Sequence, residues 1–231
     1  MHRDIPPLEI LYEDNHLLAV NKPALLPTMG VAEDVPSVLT VAKEYLRQKY
    51  DKPGNVYLGV VSRLDAPVTG LLLMAKTSKA AARLSESFRS RNVNKIYWAA
   101  IEGRMTPPTG ELEHYLRKDE RHRKVHTTSA GALDAQLAKL TYRQLDTAGD
   151  YALVEVTLET GRKHQIRVQL AKVGAAIVGD RKYGSDVPFG PGIALHARRL
   201  EIEHPVRHEP LVLEAPLPRS WTQHVGVSRL L

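Results

Sequence analysis

The 231-residue chain has no cysteine. That absence excludes a disulfide, a thiol nucleophile and a cysteine-built zinc site, and it suits a reducing compartment. No stretch approaches the roughly 18 apolar residues that a membrane-crossing helix needs. The opening residues Met1-His2-Arg3-Asp4-Ile5-Pro6-Pro7 hold no apolar core of signal-peptide length. Internal repeats, low-complexity tracts and long linkers are also missing. The expectation is a soluble, cytoplasmic chain with no membrane partner, folded as one domain over residues 1–231. What is present narrows this further. At 43% hydrophobic residues the chain can bury a full core. Its formal charge of +6 and isoelectric point near 9.5 lean towards a polyanionic partner such as nucleic acid.

Short apolar runs bounded by turn residues dominate the pattern. Leu8-Glu9-Ile10-Leu11-Tyr12 and His16-Leu17-Leu18-Ala19-Val20 read as two strands joined by Glu13-Asp14-Asn15. Asn21-Lys22-Pro23 ends the second. Behind Ser37, Val38, Val41, Ala42, Tyr45 and Leu46 recur at helical spacing, with Arg47 and Lys49 in the last turn. A second helix follows Thr77-Ser78, with Ala81, Leu84 and Phe88 facing inwards. Strands are predicted at Asn94 to Ala100 and at 139–146, 152–160, 175–179, 194–202 and 210–214. A helix is predicted over 163–173, with Gly174 as its left-handed terminator. Many strands and few helices indicate an α+β fold around a mixed or mostly antiparallel sheet.

The stretch from Val60 to Lys76 is the most informative. One apolar run leads to Arg63-Leu64-Asp65, a turn containing Pro67 and Gly70 follows, and the apolar run Leu71-Leu72-Leu73-Met74 leads away. Asp65 is thereby expected on a stiff loop at a strand end, where reactive side chains are often displayed. In an extended segment Arg63 shares its face. An Arg-x-Asp pair also serves as an ordinary ion pair or capped turn. Three further groups bear on the choice. In Lys95-Ile96-Tyr97, strand alternation puts Lys95 and Tyr97 on one face, although a strand tyrosine is usually core. Glu159 to Arg167 forms a strand end, a glycine turn and a helix start dense in donors. Backbone N–H groups at such a start attract phosphate or carboxylate. Gly179-Asp180-Arg181-Lys182-Tyr183-Gly184 is a turn bracketed by glycines. Between Leu116 and Ser129, seven basic or imidazole side chains surround only Asp119 and Glu120. That stretch is either a solvated loop or a finger that follows phosphates.

In order along the chain, Ile10 to Asp14 with Val20-Asn21-Lys22-Pro23, Arg63-Leu64-Asp65, Lys95-Ile96-Tyr97, Gly161 to Arg167, Gly179-Asp180 with Tyr183-Gly184, and Leu195-His196-Ala197 resemble the successive motifs of the RluA family of pseudouridine synthases. The likeness runs from about residue 8 to residue 218, and the collinear set is specific where each motif alone is weak. It implies a single catalytic domain that converts uridine to pseudouridine within RNA, without cofactor or metal; the expected substrate is ribosomal or transfer RNA, and nothing in the sequence demands more than a monomer. Carried over by position, Asp65 is the nucleophile, Tyr97 the pocket residue beside the base, and Arg167 the ionic partner of the aspartate. Arg63 lies at the pocket mouth and contacts RNA. The remaining RNA contacts are assigned to Arg162, Lys163 and His164, and to Arg121, Arg123 and Lys124 of the basic stretch. The chain departs from the family pattern at Ser62, Val68-Thr69, Trp98, Lys163 and Gln169, none of them a position assigned to chemistry. The expectation is a stand-alone catalytic domain, without the separate N-terminal RNA-binding domain of many larger relatives.

Other readings compete less well. A glycoside hydrolase places two carboxylates across the scissile bond, and Asp65 has no evident acidic partner. His204 and His208 have metal-ligand spacing, but Pro205 spoils the helical face which that spacing requires. The stronger competitor is an RNA-binding or RNA-folding protein of the same fold whose catalysis is lost or dispensable.

Overall fold

The structure is a computed structural model and describes residues 8–32 and 34–231. Its elements in chain order are β1 (Glu9–Glu13), β2 (Leu17–Lys22), α1 (Val38–Lys49), β3 (Gly59–Val60), β4 (Thr69–Ala75), α2 (Ser78–Arg89), β5 (Val93–Glu102), β6 (Thr109–Asp119), β7 (Lys124–Thr128), β8 (Gln136–Ala148), β9 (Tyr151–Leu158), α3 (Gln165–Lys172), β10 (Leu195–Glu203), β11 (Pro210–Glu214) and α4 (Arg219–Gln223). The backbone divides into two compact units. One comprises Met1–Val93 with Ala197–Pro216, the other Asn94–His196 with Leu217–Leu231.

In the first unit the predicted β1–β2 hairpin forms because Asp14 closes it. Its carboxylate accepts the N–H groups of His16 and Leu17, both at 2.7 Å. The ladder runs from Glu9 opposite Asn21 to Glu13 opposite Leu18, with an irregularity between Ile10 and Tyr12. On its other edge β2 pairs antiparallel with β4, Leu17 opposite Ala75 and Lys22 opposite Gly70. Every residue of β4 is buried, so the strand reads as a continuous apolar run rather than an alternation. Gly70 has φ +108°, and a Cβ there would collide with the backbone of Ala197, so the close approach requires glycine. Both predicted helices form, and each has a side-chain cap at its start. Ser37 and Thr40 form a reciprocal capping box at α1, and the Thr77 hydroxyl accepts the Ala80 N–H at α2. Helix α2 lays Ala80 and Leu84 on a core with Leu17, Ala19, Leu71, Leu73, Leu200, Ile202 and Leu213.

In the second unit β5, β9, β8, β6 and β7 form an antiparallel ladder in that order. Helix α3 ends as predicted, with Gly174 at φ +81°. Two expectations need correction. The stretch from Leu116 to Ser129 is a β-hairpin, its arms paired from Tyr115 opposite Thr128 to Asp119 opposite Lys124. The strand expected at 175–179 is a single bridge, Ile101 to Ile177. Left-handed glycines at 174 and 179 turn the chain at both ends and leave too little length for a ladder. The α+β class with largely antiparallel pairing holds in both units.

Candidate active site

Asp65 lies in the first unit, on the loop between β3 and β4, and is half-buried. Its neighbours on both sides are tied down. Thr28 donates its hydroxyl to the Leu64 carbonyl at 2.8 Å and accepts the Leu64 N–H at 3.1 Å. The Ala66 carbonyl accepts the Leu25 N–H at 2.7 Å, and the Asp65 carbonyl accepts the Val68 N–H at 3.0 Å. A loop whose backbone groups are accounted for in this way holds its side chain in one place. Arg63, two residues earlier, is exposed.

Lys22, at the end of β2 and inside the motif Val20-Asn21-Lys22-Pro23, is a neighbour of this loop to which the sequence assigned no role. It is fully buried. Its ammonium donates to the carbonyls of Pro23, Leu26 and Ala66 at 2.8, 2.9 and 3.0 Å. Burial pushes its pKa down to about 7, opposed by the negative charge of Asp65. Lys22 therefore clamps the residue that follows Asp65.

In the second unit Tyr97 lies on β5 opposite Val156 and is half-buried. Arg167 is on α3, a helix buried from Gln165 to Leu170. Its Nε and Nη2 donate to the two carboxylate oxygens of Asp180 at 2.7 and 2.8 Å, with the side chains 5% and 1% exposed. The guanidinium carbon lies 5.0 Å from the centre of the Tyr183 ring. The Tyr183 hydroxyl accepts the Val125 N–H at 3.0 Å and lies 2.7 Å from Nδ1 of His164, which adopts a left-handed backbone ahead of α3. The α3 entrance is further braced by Gln165, whose Oε1 accepts from the Thr160 hydroxyl at 2.7 Å and the Arg162 N–H at 3.0 Å.

The predicted RNA contacts of this unit fall into two groups. Arg162 and Lys163 line a cleft of about 300 Å³ together with Arg117 and Lys118 from β6. Arg121 and Arg123 are exposed at the β6–β7 turn. Lys124, the first residue of β7, places its ammonium 5.3 Å from the Tyr183 ring. Asp119 is engaged within the turn by His122, through the backbone N–H at 3.0 Å and the ring at 2.7 Å. The hairpin thus presents mainly positive charge.

The two histidines with metal-ligand spacing are otherwise occupied. Buried His204 meets Asp14 at 2.8 Å through Nε2, and its Nδ1 accepts backbone N–H groups of Val206 and Arg207. Exposed His208 meets Glu203. Among the described residues no group of three or more metal-ligating side chains converges, and no helix is long and apolar enough to cross a membrane.

Comparison with known proteins gives a consistent answer. The family model described as RNA pseudouridylate synthase matches residues 16–172. An uncharacterized RNA pseudouridine synthase of Bacillus subtilis is 33% identical over 211 residues, covering 91% of this chain and 69% of the relative. Ribosomal large subunit pseudouridine synthase D of Pseudomonas aeruginosa is 34% identical, covering 93% and 69%. tRNA pseudouridine synthase C of Salmonella typhi is 33% identical, covering 94% and 88%. Among solved structures, human RNA Pseudouridylate Synthase Domain Containing 4 superposes with a TM-score of 0.79 at 27% identity, over 96% of this chain and 92% of the other. The chain belongs to the RNA pseudouridylate synthase family, in the RluA type that its motifs resemble, and is an RNA pseudouridine synthase.

Proposed function

We propose that the chain isomerises chosen uridines of structured ribosomal or transfer RNA, with Asp65 as nucleophile. Residues 1–231 would act as one catalytic domain, monomeric and cytoplasmic, with no cofactor. The observation that carries the assignment to Asp65 is its loop: Thr28, Leu25 and Lys22 tie down the residues on either side of one half-buried carboxylate. The reaction breaks the C1′–N1 bond, turns the uracil and rejoins it through C5. A carboxylate can attack the ribose, attack the base or remove a sugar proton, and each route requires it ionised. Arg167 supports that ionised state as a cation that never deprotonates. Its Nε–Nη2 edge serves Asp180. Tyr97 stacks on the uracil and offers its hydroxyl for the late removal of the C5 proton.

Substrate access requires the target base to leave its stack, and the basic surface supports the deformed RNA. Arg63, Arg162, Lys163, His164, Arg121, Arg123 and Lys124 supply those contacts. The P. aeruginosa relative is named for the ribosomal large subunit and the Salmonella relative for tRNA, so ribosomal and transfer RNA are both carried into the test.

Unmodified ribosomal and transfer RNA transcripts carrying tritium at uridine C5 are incubated with the protein and with Asp65→Asn. Release of tritium to water by the native protein alone, with RNA binding retained by both, is expected. Equal release by the variant would remove Asp65 from the chemistry. Tight binding with no release by either protein would favour an RNA-binding role.

A further inference from the structure

Asp180 and Tyr183 lie in the Gly179–Gly184 turn, to which the function above gives no part. The turn is tightly built. Gly179 has φ +85°, and a Cβ there would fall 2.5 Å from that of Phe189. The Gly179 N–H donates to the Ser185 hydroxyl at 3.0 Å, and the Asp180 carbonyl accepts the N–H groups of Tyr183 and Ser185 at 2.9 and 3.2 Å. From this turn the Asp180 carboxylate meets the Nε–Nη2 edge of Arg167 in two parallel hydrogen bonds. The Tyr183 ring lies against the guanidinium.

A buried ion pair is weak as a source of stability, because desolvating both charges offsets much of their attraction. What this one provides is orientation. A bidentate fork on a rigid turn removes the torsional freedom of the arginine head, and the aromatic ring limits its tilt. Both oxygens of Asp180 are used on one edge, so the direction of the remaining Nη1 is set by the same contact.

We propose that Asp180 is a positioning residue for the isomerisation: its carboxylate, supported by the Tyr183 ring, sets the plane of the Arg167 guanidinium and thereby aims Nη1. The proposal rests on the reading that Arg167 keeps Asp65 ionised. A displacement of the guanidinium by about 1 Å would be felt in the chemical step and not in RNA binding.

The test measures tritium release in a single turnover, with enzyme in excess over a transcript that the native protein modifies, together with RNA affinity and melting temperature. Asp180→Asn keeps the shape of the side chain and loses the second charged acceptor. The expected result is a chemical step slowed by about 10- to 100-fold with RNA affinity retained. In an Arg167→Lys background, Asp180→Asn should cause no further loss, because it acts through the same side chain. A rate unchanged in a folded Asp180→Asn protein would overturn the proposal, and so would a full additional loss in the Arg167→Lys background. If Asp180→Asn does not fold, Asp180→Glu carries the same test, since its extra methylene displaces the fork while keeping the charge. A native rate in Arg167→Lys itself would sink the role given to Arg167, and this proposal with it. Loss in Arg167→Lys without loss in Asp180→Asn would sink this proposal alone.

Discussion

Lys22 illustrates how a single side chain can be inconspicuous in sequence and decisive in the fold. Its partners Leu26 and Ala66 are four and 44 positions away, so no local pattern shows them. Only an ammonium donates to all three carbonyls at once, while burial favours the neutral amine. The folded pKa, down to about 7, lies below the ordinary lysine value of 10.5. Between these two values the unfolded chain binds the extra proton, so stability rises with pH across the window and the protonation penalty is fully felt below it. Urea unfolding from pH 7 to 10 should show this rise in the native protein and a flatter profile in Lys22→Met. At pH 7 the variant should also be less stable by roughly 1–3 kcal/mol, because buried carbonyls lose their donor. An unaltered pH profile would remove Lys22 as its source. Asp65, Tyr97 and Arg167 were singled out at this scale because each lies inside a motif, and their roles are those proposed above. Asp180 was visible only as part of a glycine-bracketed turn, since its partner is 13 residues earlier on another element.

Among the elements, those with a start signal and a period emerged directly from the sequence. Ser37 and Thr77 mark α1 and α2, and Asp14 marks the first hairpin. The arms of the basic hairpin were obscured because charge, not apolar alternation, dominates residues 117–124. Only the pairing of β6 with β8 and β7 makes them strands. That geometry holds Arg121 and Arg123 at an exposed turn, where the proposed phosphate contacts would release counterions. Replacing both by alanine should weaken RNA binding and lower the slope of log affinity against log salt by about one to two. Fluorescence anisotropy over a salt series measures it. An unchanged slope would make the hairpin a solvated surface.

For the whole molecule, acid stability depends on carboxylates engaged by tertiary contacts. Glu13, with a side chain 7% exposed, accepts from Tyr45, Lys49, Tyr50 and Lys76. Burial pushes its pKa up, but these donors outweigh burial and hold it at about 2. Asp14 is likewise held at about 2, burial being outweighed by the N–H groups of His16 and Leu17 and by Tyr12 and His204. Both folded values lie below the ordinary ones, so the stability they confer is present above the unfolded values near 4. It is lost as pH falls towards 2. Glu13→Gln should lower stability at pH 7 and flatten the acid limb of a pH series of urea unfolding. A limb as steep as the native one would assign acid sensitivity elsewhere.

The amino-acid sequence by itself determined the α+β class, the capped helices, the first hairpin and the family, because caps, turns, periodicity and collinear motifs are local or ordered along the chain. Only the tertiary structure decided that Lys22 clamps the Asp65 loop, that Asp180 grips Arg167, and that a charged stretch folds as a hairpin. The physical reason is common to all three. Buried charges and weakly patterned strands acquire their conformation from partners distant in sequence, and a chain read locally does not contain those distances.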